Sequence, residues 1–229
     1  MTCAAIHQPQ YLPYLGFVHK VRHADVLVVL DTVEYHRRGI QNRNRIKTSQ
    51  GVQWLTVPVL QRSGQLIREV QTNPSVDWRS EHWTALQRNY ARARHFDDYA
   101  AALQEVLSTA PGTALGEINV TLLRWLLQTL EIDTPMVMAS DLPAACGRSS
   151  ERLVSLCEAV GAERYLSGPG GRRYMDLEVF ERAGVEVVWQ DFVAPEYEQL
   201  WPKLGFVPDL SIVDALLCWG PGARDWLAS

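Results

Sequence analysis

The sequence predicts an α/β protein: a mostly parallel sheet flanked by helices, Rossmann-like, with a helical insertion around residues 75–132. Three observations carry this expectation. Short apolar runs alternate with helical periodicities towards both ends of the chain. The run DVLVVLD, residues 25–31, is aliphatic at successive positions, as in a strand buried on both faces. Between residues 80 and 130, apolar side chains recur at helical spacing.

Residues 2–7 and 25–31 read as strands, and Leu15 to Ala24 can form a helix between them. That is the strand–helix–strand unit of a parallel sheet. WLTVPVL, residues 54–60, and LIREVQT, residues 66–72, flank the turn QRSG and suggest a hairpin. Helices are expected over Ser80–Arg94, Tyr99–Leu107 and Gly116–Leu130. Alternation resumes with strand PMVMAS from Pro135, helix Ser149–Val160, strand ERYLSG from Glu163, helix Leu177–Ala183 and strand VEVVWQDF from Val185. Ser149 is placed to cap its helix, Glu151 lies in the first turn and Gly161 just past the end. A helix from Ser211 to Trp219 is expected to end the regular structure before Gly220-Pro221-Gly222. Residues 1–60 and 135–229 would then build one sheet domain, with 75–132 as a helical subdomain.

With 229 residues, 47% of them hydrophobic, the chain can bury a sizeable core. It carries no internal repeat, no apolar run of the roughly 20 residues that span a bilayer, and no basic start followed by an apolar block. Cys3, Cys146, Cys157 and Cys218 lack CxxC spacing and read as reduced thiols. A cytoplasmic protein is expected. The net charge of −4 is uneven. Residues 1–50 hold seven cations against three acids, and five of those cations lie in the acid-free stretch HRRGIQNRNRIKT, residues 36–48. Such a cluster suits a phosphate, a nucleotide, a carboxylate or an RNA backbone, and a solvated basic loop is the plain alternative. The interleaved Gln41, Asn42 and Asn44 favour specific pairing, because amides select donors and acceptors rather than bulk charge.

In open parallel sheets, ligands sit outside the carboxyl ends of the strands. The first expected strand ends in His7, Gln8 and Gln10, followed by a rigid loop holding Tyr11 and Tyr14. The second delivers Asp31, Glu34 and Tyr35, then the basic stretch with Arg43, Arg45 and Lys47. Later strands deliver Ser140 and Asp141, then Ser167-Gly168-Pro169-Gly170-Gly171, then Gln190 and Asp191. His7 titrates nearest neutral pH and can act as a general base or as a donor to substrate. Asp31 can orient it, hold a substrate amine or cap the next turn. The glycines of SGPGG allow close backbone approach to an anion, with Arg172, Arg173 and Tyr174 beside them, although the spacing fits neither GxGxxG nor a P-loop. An ordinary turn before a helix explains them equally well. Asp214 has a mundane reading, a capping box with Ser211. His7, Asp31 and His36 show no metal-binding spacing, and no metal is expected.

Several long stretches resemble the WbqC-like family of bacterial proteins: IHQPQYLPYLGFVHK, QNRNRIKT followed by WLTVPV, RYLSGPGGRRYMD, the segment from Asp191-Phe192 to Tyr197, and FVPDLSIVDALL. Val18-His19 depart from it, standing where aromatic or acidic residues are expected. The family occurs among genes for O-antigen and other specialised sugar or natural-product pathways. The resemblance therefore implies small-molecule modification, such as acyl or aminoacyl transfer onto an amino sugar or amine.

The resulting expectation is a transferase in which His7 takes the amine's proton and Asp31 or Tyr35 positions the nucleophile. Gln8, Gln10, Tyr11, Tyr14, Gln41, Asn42, Arg43, Asn44, Arg45, Lys47, Ser167, Gly168, Gly170, Arg172, Tyr174, Gln190, Tyr197 and Asp214 would line the binding site. Two alternatives stay open. One is nucleotidyl or adenylyl transfer with ATP and Mg²⁺ in place of an activated acyl donor; the histidine that follows glycine in such enzymes is absent, Gly16 preceding Phe17. The other is a non-catalytic binder of aminoacyl-tRNA or another anionic ligand.

Overall fold

The computed structural model describes residues 1–143, 145 and 147–228. In chain order the elements are β1 (Cys3–His7), α1 (Leu15–Arg22), β2 (Val26–Val29), β3 (Arg43–Thr48), β4 (Gly51–Thr56), β5 (Val59–Leu60) and β6 (Gln71–Thr72). Next come α2 (Trp78–Tyr90), α3 (Phe96–Thr109), α4 (Leu115–Thr129) and β7 (Met136–Met138). The chain closes with α5 (Ser150–Ala159), β8 (Arg164–Ser167), α6 (Leu177–Arg182), β9 (Glu186–Trp189), α7 (Ile212–Trp219) and α8 (Pro221–Ala228).

The protein is α/β, and its chain divides into two compact units. The first comprises Met1–Pro9, His19–Val33 and Asp133–Val193. It holds a five-stranded sheet in the order β7-β2-β1-β8-β9, parallel at every pairing. Ala4, Ile6, Val26 and Val28 point to one face and pack with Leu153, Val154, Leu156 and Cys157 of α5 and with Phe180 of α6. Ala5, Leu27 and Val29, on the alternate face, are buried as well. The continuous aliphatic run therefore reflects a strand covered on both sides.

Strand order reverses at β1: β2 and β7 lie to one side, β8 and β9 to the other. This is a topological switch point, where open α/β sheets open a crevice. Pairing on the two sides of β1 is unequal. β1 stays in register with β2 as far as His7 and Val29, and the Leu30 N–H still donates to the His7 carbonyl at 2.8 Å. Against β8, β1 is paired only at Cys3–Arg164 and Ala4–Tyr165. Ladder pairing between these two strands thus ends three residues before β1 does.

The second unit comprises Gln10–Val18, Glu34–Ile132 and Ala194–Ser229. Here the structure departs from the sequence expectation. Residues 34–72 add nothing to the parallel sheet. The basic stretch forms β3, paired antiparallel with β4 from Arg43–Thr56 to Thr48–Gly51. The expected hairpin of 54–60 with 66–72 shrinks to β5 and β6, two residues each, because residues 54–56 are already paired with 43–45. The ribbon turns at Ser49-Gln50, where Gly51 has φ +113°, a conformation that favours glycine.

Helices α2, α3 and α4 fall where the apolar spacing predicts them, within a few residues. Asp77 caps α2, accepting from the Ser80 amide. In the first unit, Ser149 offers α5 no side-chain cap, and the Glu151 carboxylate receives the Arg148 amide at 3.3 Å instead. Beyond Trp219 the chain does not end in a loop. Gly220, at φ +59°, closes α7, and Pro221 occupies the first position of α8, where its missing N–H is harmless.

Candidate functional site

Five strand ends of the first unit carry polar groups on the carboxyl side of the sheet, in the order Ser140, Asp31, His7, Ser167-Gly168 and Gln190. Asp31 is buried, and its Oδ1 accepts the Ser140 amide at 3.0 Å. Its carboxylate thus ties the end of β2 to the turn after β7. It does not orient His7.

His7 itself is partly buried, with Nδ1 3.1 Å from the Gln8 carbonyl. A carbonyl only accepts, so Nδ1 carries the proton in this contact and Nε2 is the basic nitrogen. Burial lowers the imidazole's pKa to about 3. The positive charge of Lys20 pushes the same way, and the Gln8 carbonyl opposes them. His7 is neutral at physiological pH.

The last turn of α1 places three cation-forming residues, His19, Lys20 and Arg22, within this unit. His19 stacks on His23 at 4.1 Å, meets the Phe192 ring edge-on, and has Nδ1 3.0 Å from Gln190 Nε2. Burial, reinforced by His23 and opposed by Asp191, lowers its pKa to about 4. The neutral ring accepts from the Gln190 amide, which leaves the Gln190 carbonyl oxygen directed elsewhere.

Lys20 is 6% exposed, and burial lowers its pKa to about 8. Its ammonium is in none of the described ion pairs and has no hydrogen-bond acceptor among the described residues. Sequence reasoning missed this residue. The available signal was its place three residues after Phe17, on a face of α1 that also buries Val21.

The SGPGG segment leaves β8 and turns through Pro169–Arg173. Gly168 has φ −69°, so its backbone does not demand glycine. A Cβ there would stand 3.3 Å from Lys20 Nζ, a tight contact with the end of a flexible side chain, and 3.8 Å from Gln190 Oε1, an ordinary one. Gly171 is enclosed by Ser167 Oγ and the Met175 sulfur, whereas Gly170 faces open space. Ser167 Oγ donates to the Gly168 carbonyl at 3.2 Å. Arg172 lies over the Trp189 ring at 4.3 Å, and Tyr174 is exposed.

The other sequence-predicted residues belong to the second unit. Several of them satisfy one another. Asp214, fully buried, accepts from the Tyr90 and Tyr197 hydroxyls, each at 2.7 Å. Lys47 Nζ donates to Gln199 Oε1 at 3.1 Å and to the Gly205 carbonyl at 2.6 Å, while its amide donates to the Tyr90 hydroxyl. Burial raises the Asp214 carboxyl above the ordinary carboxylate range, and the two hydroxyls oppose this. The capping-box reading of Asp214 does not hold: Ser211 caps through the Val213 amide, but the Asp214 carboxylate is taken by the tyrosines.

Asn42 Nδ2 donates to the Val57 carbonyl, Asn44 Nδ2 to the Leu12 carbonyl, and the Gln41 carbonyl accepts from Asn119. The Tyr11 hydroxyl meets His82 Nδ1 at 2.7 Å. Gln10 and Tyr35 are buried and Tyr14 partly so, burial raising both tyrosine pKa values. What the ribbon presents outward is Trp54, 47% exposed, with the Arg43 guanidinium at 4.2 Å and that of Arg45 at 5.8 Å from its ring. Arg45 also donates to the Asp209 carbonyl at 2.9 Å.

A parallel sheet with a histidine, a buried lysine and a glycine turn at its switch point makes this an α/β protein of the open parallel-sheet class. The model of the WbqC-like protein family matches residues 8–225, and the chain belongs to that family. It is 39% identical to "Uncharacterized protein Rv1507c" of Mycobacterium tuberculosis (strain ATCC 25618 / H37Rv), over 99% of this chain and 98% of that protein. No solved structure matches the chain at a significant level. No helix of the described residues is long and apolar enough to cross a membrane.

Proposed function

We propose that the protein transfers an activated acyl or aminoacyl group to an amine of a small molecule at the carboxyl ends of β1, β8 and β9. The observation that carries this reading is His7, kept neutral at the switch point with Nδ1 committed to the Gln8 carbonyl. The amine nitrogen attacks the donor's carbonyl carbon, and the bond from that carbon to the leaving group breaks. Nε2 of His7 takes the proton from nitrogen and returns it to the departing thiolate or alkoxide; from an adenylate the leaving group is AMP, and the proton passes to solvent. Direct transfer is favoured by the state of the described thiols. Cys3, Cys157 and Cys218 are buried, and burial raises all three pKa values, the last two to about 12. A thiol so hard to ionise makes a poor acyl carrier.

The test pairs amino sugars and simple amines with acyl-CoA, aminoacyl adenylate and aminoacyl-tRNA donors, and follows the amide by mass spectrometry. His7→Gln should abolish amide formation and leave ligand affinity within a few-fold of the parent. Undiminished product from His7→Gln would refute the role. Pyrophosphate release from ATP, with no amide formed, would favour nucleotidyl transfer instead.

A second reading rests on the ribbon of β3 and β4. An exposed tryptophan flanked by two arginines, with Arg37 and Arg38 exposed nearby in sequence, has the composition of a single-strand RNA platform. It would suit a donor carried on tRNA. Affinity for RNA should then fall steeply with salt and fall further in Trp54→Ala. Salt-insensitive binding, or none, rules against this partner.

A further inference from the structure

A lysine buried to 6% exposure without a counter-ion is an unsettled arrangement. Buried charges are paired in nearly all folded proteins, because an unpaired one gives up hydration for nothing. No carboxylate acts on Lys20; burial alone shifts its pKa, and the titratable group that feels its charge is His7. The carbonyl end of α1 offsets a part of the charge, being the negative end of a short helix. The ammonium nevertheless has no acidic partner among the described residues. It lies close to the Gly168 backbone, where an added Cβ would stand 3.3 Å from Nζ. An oxygen of a bound anion sits about 2.7–2.9 Å from such a nitrogen and would complete its pairing.

We propose that Lys20, beneath Gly168 and beside His7, forms an oxyanion subsite that takes a carboxylate or phosphate group of the ligand. All three residues belong to the first unit and stand at its switch point. The subsite does not depend on the acyl-transfer reading, since any ligand bearing the anion would complete the lysine's pairing. It also couples binding to chemistry. Burial is the larger cause of the lowered His7 pKa, and an anion beside Lys20 would offset the lysine's added share, so the ligand itself would make His7 a better base.

The experiment needs no turnover. Inorganic phosphate and acetate are titrated, at constant ionic strength, into the parent protein, Lys20→Met and Gly168→Ala. The His7 imidazole resonances report by NMR. In the parent, one anion should bind saturably at millimolar concentration and raise the His7 pKa. Affinity should fall about tenfold or more in Lys20→Met, and by less in Gly168→Ala, whose methyl crowds Nζ with the charge intact. Saturation by phosphate would assign a phosphate-bearing ligand; saturation by acetate alone, a carboxylate. Equal titration of the parent and Lys20→Met, or saturable binding that leaves His7 unmoved, would overturn the proposal. Loss of product in Lys20→Met with unaltered anion binding would overturn it while leaving acyl transfer standing.

Discussion

Replacing Lys20 by methionine should make the folded protein more stable at neutral pH. Burial holds the ammonium at a pKa of about 8, against 10.5 in an unfolded chain. At about 1.4 kcal/mol per tenfold difference in proton affinity, the charged form disfavours the folded state by about 3 kcal/mol. Between pH 8 and 10.5 the unfolded chain holds a proton that the folded chain has released, so stability rises with pH across that window. Below pH 8 the full penalty applies. Methionine keeps most of the buried stem and removes the charge. For a chain of this size, 1 kcal/mol moves Tm by roughly 2–4 °C, so the variant should melt about 6–12 °C higher at pH 7 in an anion-free buffer. The gap should narrow as the pH is raised towards 10.5. Urea titrations of both proteins at several pH values give the same comparison as free energies. A Tm for Lys20→Met at or below that of the parent at pH 7 would refute the reasoning, as would a gap that stays constant with pH. Either result would mean that the ammonium has a partner in the folded protein.

Tyr90→Phe should destabilise the second unit by about 1–3 kcal/mol in urea, because the buried Asp214 carboxylate and the Lys47 amide each lose a partner. Unchanged stability would mean that this network is not fully closed to water. Cys157 and Cys218, with thiols raised to about 12, should resist iodoacetamide at pH 8 in the native protein and react fully in urea, as peptide mass spectrometry would read. Rapid native labelling of Cys157 would contradict its burial between α5 and the sheet.

The parallel strands and most helices were legible because burial on both faces leaves continuous aliphatic runs, and one-sided burial leaves a helical period. The ribbon was less legible. In RNRIKT, Arg43, Arg45 and Lys47 alternate with Asn44, Ile46 and Thr48, a strand's period of two, but Ile46 is its single strongly apolar residue. Charge masked the pattern. The end of α7 was marked by Gly220, yet Pro221 was read as a breaker when it also suits a first helical position. Of the predicted site residues, His7, Ser167, Gly168 and Gln190 do stand at neighbouring strand ends: alternation of elements implies a parallel sheet with its carboxyl ends on one edge, and the structure supplies the order that makes them neighbours. Lys47, Tyr197 and Asp214, far apart in sequence, proved to be engaged through one buried network.

The sequence by itself determined the family, the α/β class and the run of polar groups at strand ends, all of which rest on local pattern and motif order. Only the tertiary structure decided which of those groups are spent and which remain available. Asn42, Asn44 and Lys47 read as ligands for an anion and Asp31 as a partner of His7, and each is answered by a backbone or side-chain partner across the fold. Lys20, which the sequence did not single out, is buried without one. Hydrogen bonding and desolvation depend on what long-range packing brings within about 3 Å, and residues distant in sequence make that decision.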